Sequence, residues 1–275
     1  MKTPVKLGSF VAVLAAVFGL AYLTGTQSQA LLAPAQIHDT GFGALSDTVE
    51  GYTVTPVRPT LKPGADLFVE FRVTGPDGKP LPEADEGDPG SGAHPHLIAF
   101  RHDLTGFQHI YPEQGKGASW WALLNLSSGP WHVIIELRPA NLGRDISLAT
   151  DLSVTGPYQP QPLPPTADQA DANGLTVART GTLATSVNAS TGAMITDRGT
   201  PVTDLQPAHD SLGHALIIRP GDLGYLHLHS LPSSENGPRL EFVGGVPEPG
   251  RYVMFIEFFR ADVLHVAAYT VEVTR

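Results

Sequence analysis

The sequence contains no cysteine. That absence removes disulfides, thiolate nucleophiles, cysteine-ligated zinc and any blue-copper centre, which needs a cysteine sulfur. It is silent about compartment, because exported proteins use disulfides without requiring them. Methionine is nearly as scarce: beyond Met1 only Met194 and Met254 occur in 275 residues. Thioether sites for soft copper(I) are therefore poorly supplied. Positive charge is short as well, with 17 Lys+Arg against 27 Asp+Glu and a formal net charge of −10. Such a surface repels phosphate backbones, which argues against a nucleic-acid partner, and it attracts cations. Catalytic signatures are missing: the chain holds no G-x-S-x-G, H-E-x-x-H, P-loop or Rossmann glycine pattern. It is expected not to be an enzyme.

What the chain does have is turn residues, 29 Gly and 25 Pro spread along its length. That distribution suits many short strands and no long helix. The exception is the start, where Lys2 and Lys6 precede Leu7–Thr24, a segment free of charge. Signal-peptide cores run to about 7–15 apolar residues and spanning helices to roughly 20; this segment lies between. Ser28-Gln29-Ala30 places small residues at the two positions a signal peptidase reads. Residues 1–25 are therefore expected to form a transmembrane signal-anchor helix, with a cleaved signal peptide as the alternative. The positive flank puts the N-terminus in the cytoplasm and the rest outside. The expected location is the extracytoplasmic face of the cell membrane, or the exterior if the signal is removed.

Beyond that segment the chain repeats itself. Gly51-Tyr52-Thr53-Val54 matches Gly174-Leu175-Thr176-Val177, and Asp77-Gly78-Lys79-Pro80-Leu81 matches Arg198-Gly199-Thr200-Pro201-Val202. His96 precedes His109 by 13 residues, as His214 precedes His227. Gly129, Trp131 and Glu136 recur as Gly250, Tyr252 and Glu257 at the same internal spacing. Five landmarks in constant order indicate a duplicated domain. Within each copy the apolar period is two: Leu67, Val69, Phe71 and Val73 alternate with Phe68, Glu70 and Arg72, and Tyr252, Met254, Ile256 and Phe258 repeat the pattern. About seven short strands per copy predict an all-β fold of two tandem immunoglobulin-like β-sandwiches, with an eight-stranded cupredoxin-like sandwich as the rival topology. The expected boundaries are a linker at 26–47, sandwiches at 48–155 and 174–275, and between them a proline-rich, semi-rigid spacer at 156–173.

The densest chemistry lies in two strand–turn–strand segments, His94 to Pro112 and His214 to His229. If Arg219 pairs with Asp222, His214 lies opposite His227; if the loop is two residues longer, His214 lies opposite His229. Either register leaves the three histidines on one face, where opposed Cβ atoms lie about 4.5–5.5 Å apart. In the first copy His96 faces His109 or Tyr111, with His94 next along that face. Imidazole sets of this kind suit copper(II), zinc or nickel, and the turn residues Asp103 and Asp222 are candidate extra ligands or supports. The competing reading makes the same histidines structural staples of the hairpin and the aspartates caps of their turns. His38, His102, His132, His209 and His265 are read as surface groups or backbone hydrogen-bonders. The acidic run Glu83–Asp88 lacks the spacing of a calcium loop.

The segment His96 to Pro112 reads H-L-I-x-x-R-x-D-L-x-x-F-Q-H-x-x-P. It resembles a group of bacterial exported proteins, including membrane-anchored or secreted tandem-repeat proteins of actinobacteria, that are similar to the YtkA-like and copper-resistance periplasmic β-sandwiches. The resemblance covers about 48–275. It implies an immunoglobulin-like fold outside the membrane and the handling of copper or another heavy metal. By position it assigns His96, Asp103 and His109 in the first copy, and His214, Asp222 and His227 in the second. Tyr111 stands where the second copy has His229, which implies a weaker first site. The resulting expectation is an extracytoplasmic protein that binds a transition metal, copper(II) ahead of zinc, through paired histidines. The alternative is an envelope binding or scaffold module with no metal. The membrane is engaged through the N-terminal helix, and the sequence points to no particular protein partner.

Overall fold

Alternating apolar residues bury one side of a strand, and in this chain most strands are built that way. The computed structural model describes residues 42–81, 95–115, 119–139, 141–207 and 211–274. The first sandwich contains β1 (Thr48–Val49), β2 (Tyr52–Pro56), β3 (Thr60–Leu61), β4 (Gly64–Thr74), β5 (His96–Arg101), β6 (Gln108–Ile110), β7 (Glu113–Gln114), β8 (Ser119–Leu126), β9 (Gly129–Leu137) and β10 (Ile146–Val154). The second contains β11 (Gln169–Ala172), β12 (Leu175–Gly181), β13 (Ser190–Asp197), β14 (Thr200–Pro201), β15 (Gly213–Ile218), β16 (Tyr225–His229), β17 (Arg239–Val243), β18 (Gly250–Arg260) and β19 (Val263–Val273). The segment expected to be an N-terminal helix lies outside the described residues, as does the acidic run. Among the described residues no helix is long and apolar enough to cross a membrane.

The strand order identifies the sandwich type. One sheet of the first copy runs β1-β2-β4-β8-β7 and the other β3-β10-β9-β5-β6. With β4 as strand B and β5 as strand C, these are the A-B-E-D and G-F-C-C′ sheets of an immunoglobulin-like domain. The second copy keeps the plan, with β12, β13 and β17 in one sheet and β16-β15-β18-β19 in the other. Each copy closes over its own core: Phe71, Val73, Trp131 and Val133 in the first, Val177, Ile195, Phe242 and Met254 in the second.

A third apolar cluster joins the copies. Ile98, Phe100, Leu104, Ile134 and Ala149 from the first meet Leu216, Ile218, Leu223, Tyr225, Val253 and Phe255 from the second. These residues occupy the alternate positions of the very strands whose other side chains fill the two cores. The sheets holding β5 and β15 thus face each other and are buried on both sides. That explains why runs such as Ala215–Ile218 and Val253–Phe258 are apolar almost without interruption. Phe107 stacks on Phe255 across this junction, ring centroids 4.2 Å apart.

The two segments expected to be a linker and a semi-rigid spacer dock on the sandwiches where they are described. In the stretch read as a linker to residue 47, Gly43 pairs with Tyr225, Ala44 is buried in the junction and the guanidinium of Arg219 lies 4.6 Å from the Phe42 ring. In the stretch at 156–173, Tyr158 lies under Arg101, the Gln161 N–H donates to Asp103 at 3.0 Å and Leu163 packs on the junction. Gln169–Ala172 forms β11, so pairing in the second sheet begins before residue 174. Apolar side chains at 42, 44 and 163 hold segments that composition alone marks as connectors.

Phe255→Ala is expected to destabilise the protein by about 3–5 kcal/mol, the usual cost of emptying a buried aromatic site. Leu123→Ala, at a side chain 46% exposed, should change stability by no more than about 0.5 kcal/mol. Urea denaturation of both variants checks the pair.

Candidate metal centre

At one edge of the apolar junction the facing sheets turn polar. His96 on β5 lies opposite Glu136 on β9, and His214 on β15 lies opposite Glu257 on β18. The second strand of each hairpin adds His109 on β6, and His227 and His229 on β16. Each copy therefore offers the same kit, and facing packing brings the two kits into contact. The carboxylates are exchanged: His109 Nδ1 bonds Glu257 across the junction, and His227 Nδ1 bonds Glu136 at 2.7 Å in the reverse direction. His96 Nδ1 lies 2.8 Å from His109 Nε2. The ring centroids of His96 lie 5.2 Å from His227, 6.2 Å from His214 and 6.3 Å from His229.

The hairpin register takes the longer of the two expected loops. Arg219 pairs with Gly224, and His214 lies opposite His229 rather than His227. In the first hairpin Ile98 pairs with His109. Two residues further along, beyond the Leu97–Ile110 pair, His96 meets Tyr111, whose ring stands edge-on to it at 4.8 Å between centroids. The second hairpin's own set, His214, His227 and His229, comes together as expected, while His96 and His109 of the first hairpin group with His227 or His214 of the second and not by themselves.

Donor atoms of His96, His109 and His227 lie within 4.8 Å of one another. The same holds for His214, His227 and His229, and for His109, His214 and Glu257. Small ring rotations close such sets to the spacing of about 3.3 Å that ligands adopt around one ion with bonds of about 2.0–2.1 Å. His227 is the best placed donor. Its Nδ1–H is held by Glu136, which directs the lone pair to Nε2, and Nε2 is buried with no hydrogen-bond partner among the described residues. A carboxylate behind an imidazole is the usual support of a metal-bound histidine.

Burial sets the protonation states. Desolvation, reinforced by His227 and His109, lowers His96 from 6.5 to about 2. Desolvation, with His214, His109 and His229, pushes His227 well below the usual histidine range. Both rings are neutral at physiological pH, the state in which imidazole binds metal. For Glu257, burial alone would raise the pKa, but His109 and His214 outweigh it and hold the group ionised below its ordinary range. A cavity of about 320 Å³ reaches His227 and Glu136 from the surface and is also lined by Glu50, Arg144, Asp145 and Ser147. It offers a path for a cation.

The turn aspartates are not part of the cluster. Asp103 bonds Arg101, the Thr105 hydroxyl and the Gln161 N–H. Burial raises its pKa, but these donors outweigh it and hold the carboxyl at about 2. Asp222 pairs with Arg219 and accepts from the Gly224 N–H at 3.1 Å. Both cap turns in which the next residue, Leu104 or Leu223, takes φ = 62°. Their short side chains satisfy the turn, and neither joins a group of possible ligands. His94, His38 and His209 lie outside the described residues. His132 gives one ring nitrogen to Asp151 and the other to the Ala44 carbonyl, and His265 bonds the Ala172 carbonyl. His102 lies 3.3 Å from Asp151. With both nitrogens of His132 engaged, the His102–His132–Asp151 group is complete without an ion. Glu136 and Glu257 went unassigned as site residues, although they recur in the repeat and sit on the histidine-bearing alternation.

Residues 169–275 match the family described as Domain of unknown function (DUF8832). No curated protein sequence matches the chain. Among solved structures, Salmonella α2-macroglobulin reacted with methylamine is similar at 12% identity and a TM-score of 0.28, covering 86% of this chain and 15% of that one. The Ig1-2 module of the Drosophila receptor protein tyrosine phosphatase DLAR is similar at 10% identity and a TM-score of 0.22, covering 82% and 99%. Titin A168–A169 is similar at 13% identity and a TM-score of 0.20, covering 81% and 99%. The chain thus spans only 15% of the α2-macroglobulin it matches. The immunoglobulin-like assignment rests on the strand order, since these scores are low.

The histidine shifts have a definite sign. His96 takes up a proton near 6.5 in the unfolded chain and only near 2 in the folded one. Between those values the unfolded state binds more protons, so stability falls as pH falls. Glu257, ionised below its ordinary range, adds a loss in the same direction once pH drops through about 4.5. The metal-free protein should therefore melt at a progressively lower temperature from pH 7 to pH 4, with a shallower slope in His96→Gln. Scanning calorimetry across that range checks it.

Proposed function

We propose that this protein binds a transition-metal ion, copper(II) in preference to zinc, between its two sandwiches, and that it stores, delivers or senses that ion on the extracytoplasmic side of a membrane. The observation that carries the reading is His227: a buried, neutral imidazole, supported on Nδ1 by Glu136, whose Nε2 has no hydrogen-bond partner among the described residues and lies among four other imidazoles. Nitrogen donors favour copper(II) over zinc, in line with the general order of divalent-metal affinity. The absence of cysteine, and of methionine from the histidine cluster, leaves no soft donor there to favour copper(I). The resemblance to copper-resistance sandwiches and the apolar N-terminal segment support the role in metal handling outside the cytoplasm.

A second reading has its own support. The crossed His109–Glu257 and His227–Glu136 pairs bond without an ion, and on that reading they serve as polar staples between the halves of a scaffold module. Titration separates the two readings. The metal-free full chain is expected to bind copper(II) with micromolar or tighter affinity and zinc more weakly. Glu136→Gln should weaken copper by roughly 10–100-fold, the usual effect of removing a ligand's support. His227→Ala should weaken it at least as much. Unchanged weak binding in all three proteins would leave only the scaffold reading.

A further inference from the structure

The segment from Phe42 to Ser46 forms one wall of the cavity that leads to His227 and Glu136. Backbone bonds hold both of its ends. The Gly43 N–H donates to the Tyr225 carbonyl at 2.9 Å, the Gly43 carbonyl accepts from the Tyr225 N–H at 3.2 Å, and the Ala149 N–H donates to the Ser46 carbonyl at 2.8 Å. Between them Ala44 takes φ = 60°. A residue with a Cβ keeps that left-handed conformation only when its surroundings hold it. The Ala44 methyl is buried in the junction, and its carbonyl is held by His132.

His132 faces two acceptors. Its Nδ1 lies 2.8 Å from Asp151 Oδ1 and its Nε2 lies 3.2 Å from the Ala44 carbonyl oxygen. A neutral imidazole has one N–H and one lone pair, whereas an imidazolium has two N–H groups. Only the imidazolium bonds both acceptors. The ionised carboxylate is the stronger of the two, so the neutral ring keeps its proton on Nδ1 and turns a lone pair toward Ala44. Lone pairs opposed at that distance repel, and the segment loses its middle bond. Asp151 is ionised: the bond from His132 outweighs its partial burial and, with His102 nearby, holds the carboxyl below its ordinary range. Among the described residues, the titratable groups beside His132 are Asp151 on β10 and His102 in the turn after β5, whose ring lies 6.2 Å away between centroids. Phe100 on β5, at 5.5 Å, and Ala44 bring no charge.

We infer that Phe42–Ser46 is a strap fastened by a proton on His132: with the ring protonated the strap is bound and walls the cavity leading to His227, and with the ring neutral it comes loose and widens that approach. The consequence for access to His227 rests on the metal-binding reading above; the fastening does not.

Hydrogen exchange of the metal-free full chain, followed by NMR and expressed as protection over the intrinsic rate at each pH, reads the strap at the Gly43 and Ala149 amides. Between pH 5 and pH 8, the span in which imidazoles change charge, their protection is expected to fall about tenfold, the scale of one hydrogen bond to a charged group. Ile134, in the middle of β9, should show no such fall. Asp151→Asn, at an exposed position, is the sharper variant. Its amide donates to Nδ1, so the neutral ring carries its proton on Nε2 and still bonds Ala44; protection should stay high across the whole span. His132→Phe should be poorly protected throughout, and at pH 6 it should take up zinc faster than the wild type, the two rates converging by pH 8. Wild-type protection that does not fall, or an Asp151→Asn chain that falls like the wild type, overturns the strap, and neither result needs His132→Phe to fold. Equal zinc rates at pH 6 overturn its role at the cavity. A chain that takes up no zinc or copper removes the metal-binding reading and leaves the exchange result to decide the fastening.

Discussion

Glu136 and Glu257 are carboxylates placed where two sheets meet, and a buried carboxylate is tolerable only when something bonds it. Each finds its partner on the other sandwich: His227 for Glu136, His109 for Glu257. This exchange makes the two halves interdependent. If the copies separated, sheets covered by Ile98, Phe100 and Ile134, or by Leu216, Ile218 and Phe255, would be exposed to water. The apolar part of the junction supplies most of the attraction, since fully burying side chains of this size contributes roughly 1.5–3 kcal/mol each. The crossed pairs supply orientation, because a slipped or rotated docking leaves charges without partners. A buried ion pair is weak evidence for stability, which leaves the apolar residues as the main source of attraction here.

The same constraint builds the cluster. Duplication gives two copies of one hairpin, and facing packing sets the histidines of one against the acids of the other. The second copy assembles His214, His227 and His229 by itself, but the group of His96 and His109 with His227 needs both copies. Burial then keeps His96 and His227 neutral, while the carboxylates accept hydrogen bonds from Nδ1–H of His109 and His227 and leave the lone pairs on the opposite nitrogens. A cluster of this kind is assembled by tertiary packing from residues that sequence shows as a pair in one hairpin and a trio in the other.

Much of the fold was legible in the chain itself. Period-two alternation in Leu67–Val73 and Trp131–Leu137, with the repeat, gave strands, cores and duplication, because a one-sided sheet writes its burial directly into sequence. The histidines were legible for the same reason, as they recur at a fixed spacing on one alternation. The shared centre was not, since no pattern within one copy states which surface the other copy covers. One signal did exist: Ile98, Phe100, Leu216, Ile218, Val253 and Phe255 are apolar at positions a solvent-facing alternation would make polar, and a sheet covered on both faces explains them. Glu136 and Glu257, interrupting that apolar face at matching positions, marked where the covered surface needed charge. Asp103 and Asp222 misled as ligands because an aspartate in a tight turn looks the same whether it caps the backbone or holds an ion. Only their bonds to Arg101 and Arg219 and to nearby backbone N–H groups separate the two.

The most direct test of the shared centre is anomalous diffraction at the copper edge from crystals of the copper-loaded protein. The account predicts a peak about 2.0–2.1 Å from His227 Nε2, with imidazoles of both hairpins in contact with it. A peak confined to one hairpin or to an exposed histidine such as His102, or no peak at the junction at all, would contradict it.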